Sequence, residues 1–112
     1  RTIAPQKDEV MRILVFFFLP SYTPEQIEQK EQFVAFLLEE GYVMLQQTVY
    51  AKLVVNANAL DEALTSLRAH RPTEGKLWAF KVTDKQYPAF ILNAGRWSDP
   101  ASLEGFDEAI EL

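Results

Sequence analysis

Met11 to Gln26 reads MRILVFFFLPSYTPEQ, and its two halves set the first two elements of the fold. Met11 to Leu19 is a continuous apolar run, short and rich in aromatic and branched residues, and Pro20 stops it. That pattern predicts a strand buried on both faces. Thr23-Pro24-Glu25-Gln26 then supplies a capping hydroxyl, a proline at the first helical position and a Gln placed for a capping box. A helix therefore begins here. Ile27, Val34, Leu37 and Leu38 recur at helical spacing, Phe33 and Phe36 widen the stripe, and Gly41 offers the left-handed stop.

Beyond Gly41 the period changes to two. Val49, Ala51 and Leu53 alternate with Thr48, Tyr50 and Lys52, so Tyr42 to Val55 reads as a short hairpin turning at Gln46-Gln47. Asn56 and Asn58 are candidate caps for a second helix with Leu60, Ala63, Leu64 and Leu67 on its apolar side and Arg68, His70 and Arg71 at its basic end. Pro72-Thr73-Glu74-Gly75 breaks the chain. Lys76 to Thr83 reads as a strand, Asp84 to Pro88 as a turn and Ala89 to Asn93 as another strand. From Ala94 on, the pattern admits a short helix at Asp99-Pro100 or a strand in which Phe106, Ile110 and Leu112 alternate with polar residues.

The order β-α-β-β-α-β predicts an α+β, ferredoxin-like sandwich with an extra C-terminal strand. Residues 1–10 read as a leader or an expression remnant, 11–96 as the domain and 97–112 as an acidic tail. Both helices would cover one sheet face. The other face would carry Phe16 and Phe18, extended by Tyr50, Trp78 and Phe80, and an apolar patch of that size predicts a sheet-to-sheet homodimer.

Composition narrows the function. The 112 residues are 48% hydrophobic and 24% charged, as in an ordinary folded domain, and they contain no cysteine. Disulfides, thiolate metal sites and a cysteine nucleophile are excluded. The longest apolar run is too short to span a bilayer and follows no signal-like basic segment, so the chain reads as cytoplasmic with no membrane partner. The net charge of −5 is unevenly spread: residues 97–112 carry five acids and no base, so residues 1–96 sum to zero. Gly41 to Arg96 holds seven bases against four acids, a modest excess. Lys52, Arg68, Arg71, Lys76 and Lys85 are the candidate phosphate contacts, although scattered surface bases usually only solubilise.

No catalytic constellation emerges. His70 sits where a cation stabilises a helix end, Asp84 and Glu74 lie in turns, and no phosphate loop or metal-type cluster is present. The strand aromatics could stack bases as in RNA-recognition motifs, but only the weaker of that family's two signatures is approached, and core or interface packing explains them better. A ligand-binding regulatory domain would need a pocket that no glycine-lined loop suggests.

Met11 to Pro20 with its capped helix, then Leu37-Leu-Glu-Glu-Gly-Tyr-Val-Met-Leu-Gln-Gln-Thr-Val-Tyr50 with Lys52, then Val82-Thr-Asp-Lys-Gln-Tyr87, resemble the CRISPR-associated protein 2 family, most of all members from Cas9-type systems. The resemblance spans roughly Met11 to Arg96. It implies a ferredoxin-like homodimer bridging two dimers of the CRISPR-associated protein 1 integrase, which together capture short duplex DNA and insert it into the CRISPR array. Some relatives are assigned Mg-dependent nuclease activity centred on an Asp at the end of the first strand. That position is Phe18 here, which cannot ligate Mg²⁺. The first helix, often basic in relatives, reads Glu25-Gln-Ile-Glu-Gln-Lys-Glu-Gln32. The expectation is a scaffold without catalytic residues, metal or other cofactor, with a metal-dependent endonuclease as the alternative. Leu103, Phe106, Ile110 and Leu112 would dock the tail on the integrase.

Overall fold

Both alternating sets of the first strand find a core. The computed structural model describes residues 10–83, 87–88 and 110–112, and in it β1 (Met11–Phe18) lies at the centre of an antiparallel sheet, with Ile13 through Phe17 all buried. Each such side chain withdrawn from water contributes about 1.5–3 kcal/mol, which makes this strand the main hydrophobic anchor of the domain.

The local signals downstream act as their chemistry requires. In α1 (Pro24–Glu39) the Thr23 hydroxyl accepts from the Gln26 amide at 3.1 Å, and the Gln26 side-chain oxygen accepts from the Thr23 amide at 3.1 Å. Gly41 leaves the helix at φ 95°, and the Tyr42 amide closes on the Leu37 carbonyl at 3.0 Å. β2 (Val43–Gln46) and β3 (Val49–Val54) form the expected hairpin, with an irregularity between Met44 and Gln46 that moves the turn to Gln47 and Thr48, one residue beyond the expected place. Asn56 caps α2 (Ala57–His70), its side chain accepting from the Ala59 amide at 2.7 Å, while Asn58 lies inside the first turn.

β4 (Lys76–Thr83) pairs with β1, and the two-residue β5 (Ile110–Glu111) pairs with β4. The strand order β2-β3-β1-β4-β5 is that of a ferredoxin-like α+β sandwich with one strand added at the β4 edge. The expected strand at Ala89 to Asn93 lies outside the described residues. Among the described residues, no helix is long and apolar enough to cross a membrane.

Two cores result. Ile13, Val15 and Phe17 meet Phe33 and Leu37 of α1, Ala63 and Leu67 of α2, and Tyr50 of β3. Leu14 and Phe16 meet Val49, Ala51, Phe80 and Val82 on the opposite face, with Trp78, Leu45 and Tyr87 packed against them. The expected α1 stripe divides: Phe33 and Leu37 are buried, whereas Ile27 and Leu38 are 43% and 55% exposed. At about 100° per residue, positions 33 and 37 share one face and 27 and 38 share another, so one straight helix cannot bury both sets.

Candidate functional site

The position singled out by the sequence closes β1. Phe18 follows Leu14 and Phe16 on the face opposite the helices, stands opposite Lys76 in the β1–β4 register and is half-buried. Its ring meets the Trp78 ring edge to face, with centroids 5.7 Å apart and planes at 84°. Beside it Phe16 stacks on Phe80 at 5.1 Å. Gly75, just before β4, lies close to the same strand end: a Cβ there would lie 2.5 Å from the Phe18 carbonyl oxygen.

This donor set does not fit a divalent cation. Mg²⁺ requires oxygen ligands and a phenyl ring has none. Among the described residues, no three His, Cys, Asp or Glu side chains gather where they could hold a metal. Glu74 accepts a hydrogen bond from Gln26 Nε2 at 3.0 Å, tying the turn before β4 to the start of α1. Asp84 lies outside the described residues.

The expected interface aromatics separate. Tyr50 is not on the open face: it pairs with Val15 in the β1–β3 register, sits in the helix-side core and stacks on Phe17 at 5.8 Å. Strand alternation places Tyr50 with Lys52 and Val54, opposite to Val49 and Ala51. Burial raises its phenol above the ordinary tyrosine range. Phe16 and Phe80 do lie on the second face, but each is only 2% exposed within one chain, so their removal from water needs no second copy. Phe18 and Trp78 remain half-buried. At the β2–β3 margin of that face, Val43 and Leu53 are 62% and 53% exposed.

Within one chain, the described candidate phosphate contacts form no single strip. Lys52 alternates onto the helix face, half-buried, with its ammonium 5.4 Å from the Tyr42 ring centroid. Arg68 is exposed near the end of α2, and Lys76 is exposed at the start of β4 on the opposite sheet face. Arg71 is also exposed, yet its guanidinium donates to the backbone oxygen of Leu112. Lys85 lies outside the described residues. One base escaped the sequence reading: Arg12 shares the second face with Leu14 and Phe16, its guanidinium 4.1 Å from the Tyr87 ring centroid. Its place in the β1 alternation was the available signal.

The tail corrects a further expectation. Leu112 is not offered to a partner; it is 7% exposed in the helix-side core, and its amide donates to the Leu77 carbonyl at 2.7 Å. The backbone of Ile110 pairs with Ala79. Leu103 and Phe106 lie outside the described residues.

Two features had no signal in the sequence. His70 stacks on Phe36, with centroids 4.0 Å apart, and its Nδ1 lies 3.0 Å from the Ser66 carbonyl oxygen, at the mouth of a cleft between α1 and α2. Tyr42 is 4% exposed and its hydroxyl has no hydrogen-bond partner among the described residues. Burial, and after it the charge of Glu40, raises this phenol well above the usual range.

No family model matches the chain. It is 40% identical over 77 residues to the CRISPR-associated endoribonuclease Cas2 of Treponema denticola, a match covering 69% of this chain and 76% of that protein. The protein of the same name from Streptococcus mutans serotype c is 36% identical over 87 residues, covering 77% of this chain and 80% of the relative. That of Flavobacterium psychrophilum is 30% identical over 100 residues, covering 89% and 85%.

Proposed function

Since the chain belongs to the CRISPR-associated endoribonuclease Cas2 family, we propose that it is a non-catalytic scaffold subunit of the CRISPR adaptation complex. In this reading it is a homodimer that bridges dimers of the CRISPR-associated protein 1 integrase and supports the capture and integration of short duplex DNA. The observation that carries the reading is Phe18. The strand end where the resemblance puts a metal-binding Asp holds a phenyl ring packed against Trp78, with no oxygen to offer. The half-buried Phe18 and Trp78 and the exposed Val43 and Leu53 supply apolar surface for a second copy on the face opposite the helices. Arg68 and Lys76 are the bases best placed to meet phosphate, since Lys52 and Arg71 already hold contacts inside the chain.

The full chain, incubated alone with RNA and with duplex DNA in Mg²⁺ or in chelator, should cleave neither. Combined with the integrase from its own locus, it should support insertion of a short duplex into the array. In that complex, charge reversal at Arg68 or Lys76 should lower the slope of log affinity against log salt by about 0.9 per lost phosphate contact. The relatives' name, endoribonuclease, favours a second reading, an endonuclease that the family resemblance would make metal-dependent. Chelator-sensitive cleavage that tracks with this polypeptide would establish it and overturn the scaffold.

A further inference from the structure

One flank of α1, between the face that meets the core and the outer face carrying Glu28 and Glu39, is apolar where a solvated helix is normally polar. Ile27, Glu31, Val34 and Leu38 follow one another at steps of four, three and four residues and so share one face. With Lys30 and Ala35 they line a shallow groove of about 650 Å³. Ile27 is 43% and Leu38 55% exposed, and Tyr22, just before the helix, is 92% exposed.

Glu31 decides what can lie in this groove. Glu31 lies between Ile27 and Leu38 along the helix and lines the same groove as they do, and among the described residues it forms no ion pair. An occupant that covers Ile27, Val34 and Leu38 therefore covers Glu31 as well, and a carboxylate taken out of water without a cation is strongly disfavoured. The surrounding charge points the same way. Glu25, Glu28 and Glu39 share α1 with Glu31, and Lys30 is the helix's single base. Nucleic acid and anionic lipid would be repelled. A second copy using the same surface would bring an equally acidic helix.

We infer that this flank of α1 is a docking surface for an amphipathic helix of a partner protein that carries a Lys or Arg in the middle of its apolar stripe, seated on Glu31. An α-helix suits a stripe of this spacing, since its own side chains at i, i+4 and i+7 fall between Ile27, Val34 and Leu38. The surface is independent of the scaffold reading: it asks nothing of Phe18, of metal or of DNA.

The full chain, isotope-labelled for NMR, is titrated with a synthetic amphipathic helical peptide that has leucines along one side and a lysine at their centre, and with a twin carrying glutamate at the centre. The lysine peptide should bind saturably and shift the resonances of Ile27, Glu31, Val34 and Leu38. Glu31→Lys should weaken it by about tenfold or more and reverse the preference toward the glutamate twin. Leu38→Asp should abolish binding of both. Each variant alters an exposed position, and an unchanged melting temperature verifies that it is folded. Absence of saturable binding, shifts confined to another surface, or a preference unmoved by Glu31→Lys would overturn the inference. So would α1 shifts that grow with protein concentration without peptide, which would make the occupant a second copy.

Discussion

Phe18 and Trp78 meet edge to face across the β1–β4 pair, at the strand end where the family resemblance would put a carboxylate. An edge-to-face pair adds about 0.5–1.5 kcal/mol to the apolar area it covers. Phe18→Ala should therefore lower unfolding free energy by about 1–3 kcal/mol, below the cost of a fully buried Phe because Phe18 is half-exposed. The double variant with Trp78→Ala should cost less than the sum of the two singles, as a double-mutant cycle in denaturant would measure. Strict additivity would mean that the rings merely adjoin. The melting temperature of the natural chain should be unaffected by chelator.

Gly75 and Gly41 provide a matched pair of substitutions. Both take positive φ, 94° and 95°, so an alanine at either costs about 1–2 kcal/mol of backbone strain. Only Gly75 also meets a wall, since a Cβ there would lie 2.5 Å from the Phe18 carbonyl oxygen, whereas nothing lies within 4 Å at Gly41. Gly75→Ala should be the more damaging by about 1–3 kcal/mol, the range of an overpacked site. Equal midpoints in urea would show that the close approach at Phe18 relaxes freely.

Arg71 and Leu112 fasten the last strand to the body, the guanidinium donating to the Leu112 backbone oxygen while the Leu112 side chain enters the core. Leu112→Ala should cost about 2–4 kcal/mol, as for other buried leucines. Arg71→Ala, with its exposed guanidinium, should cost about 1 kcal/mol. Hydrogen exchange should quicken at the Leu112 amide, which donates to the Leu77 carbonyl, in both variants. If Arg71→Ala leaves exchange unchanged and alters only DNA affinity, Arg71 belongs to the phosphate contacts.

Tyr42 buries a hydroxyl that has no partner among the described residues, so Tyr42→Phe should be neutral or stabilising by about 1 kcal/mol. The pH dependence has a definite sign. Burial raises the folded-state phenol above its ordinary value of 10.0, so the folded chain holds that proton more tightly than the unfolded one. Stability from this source is complete below pH 10 and is lost as pH rises from there toward the raised folded value. Unfolding free energy measured between pH 9 and 11 should fall more steeply for the natural chain than for Tyr42→Phe; parallel curves would refute the burial of this phenol.

Local chemistry was enough to order the elements. Thr23 and Gln26 close their capping box within four residues, Asn56 caps α2 through a hydrogen bond three residues long, and the period-two pattern of Val49 to Leu53 is a strand wherever it packs. These signals depend on neighbours in the chain, and they are legible before any folding. Their sequence, β-α-β-β-α-β, leaves few topologies, and the ferredoxin-like order is one of them. The missing ligand at Phe18 was legible for the same reason, since a phenyl group lacks donor oxygen in any surroundings. Which face each residue meets was another matter. Tyr50 could alternate either way until the Val15 register set it among the helices, and Leu112 could serve a partner until β4 received it. The α1 stripe read as one apolar surface, and packing against the sheet buried Phe33 and Leu37 while turning Ile27 and Leu38 outward. Those outcomes depend on strand register and on the angle at which a helix meets a sheet, quantities set by contacts between residues far apart in the chain.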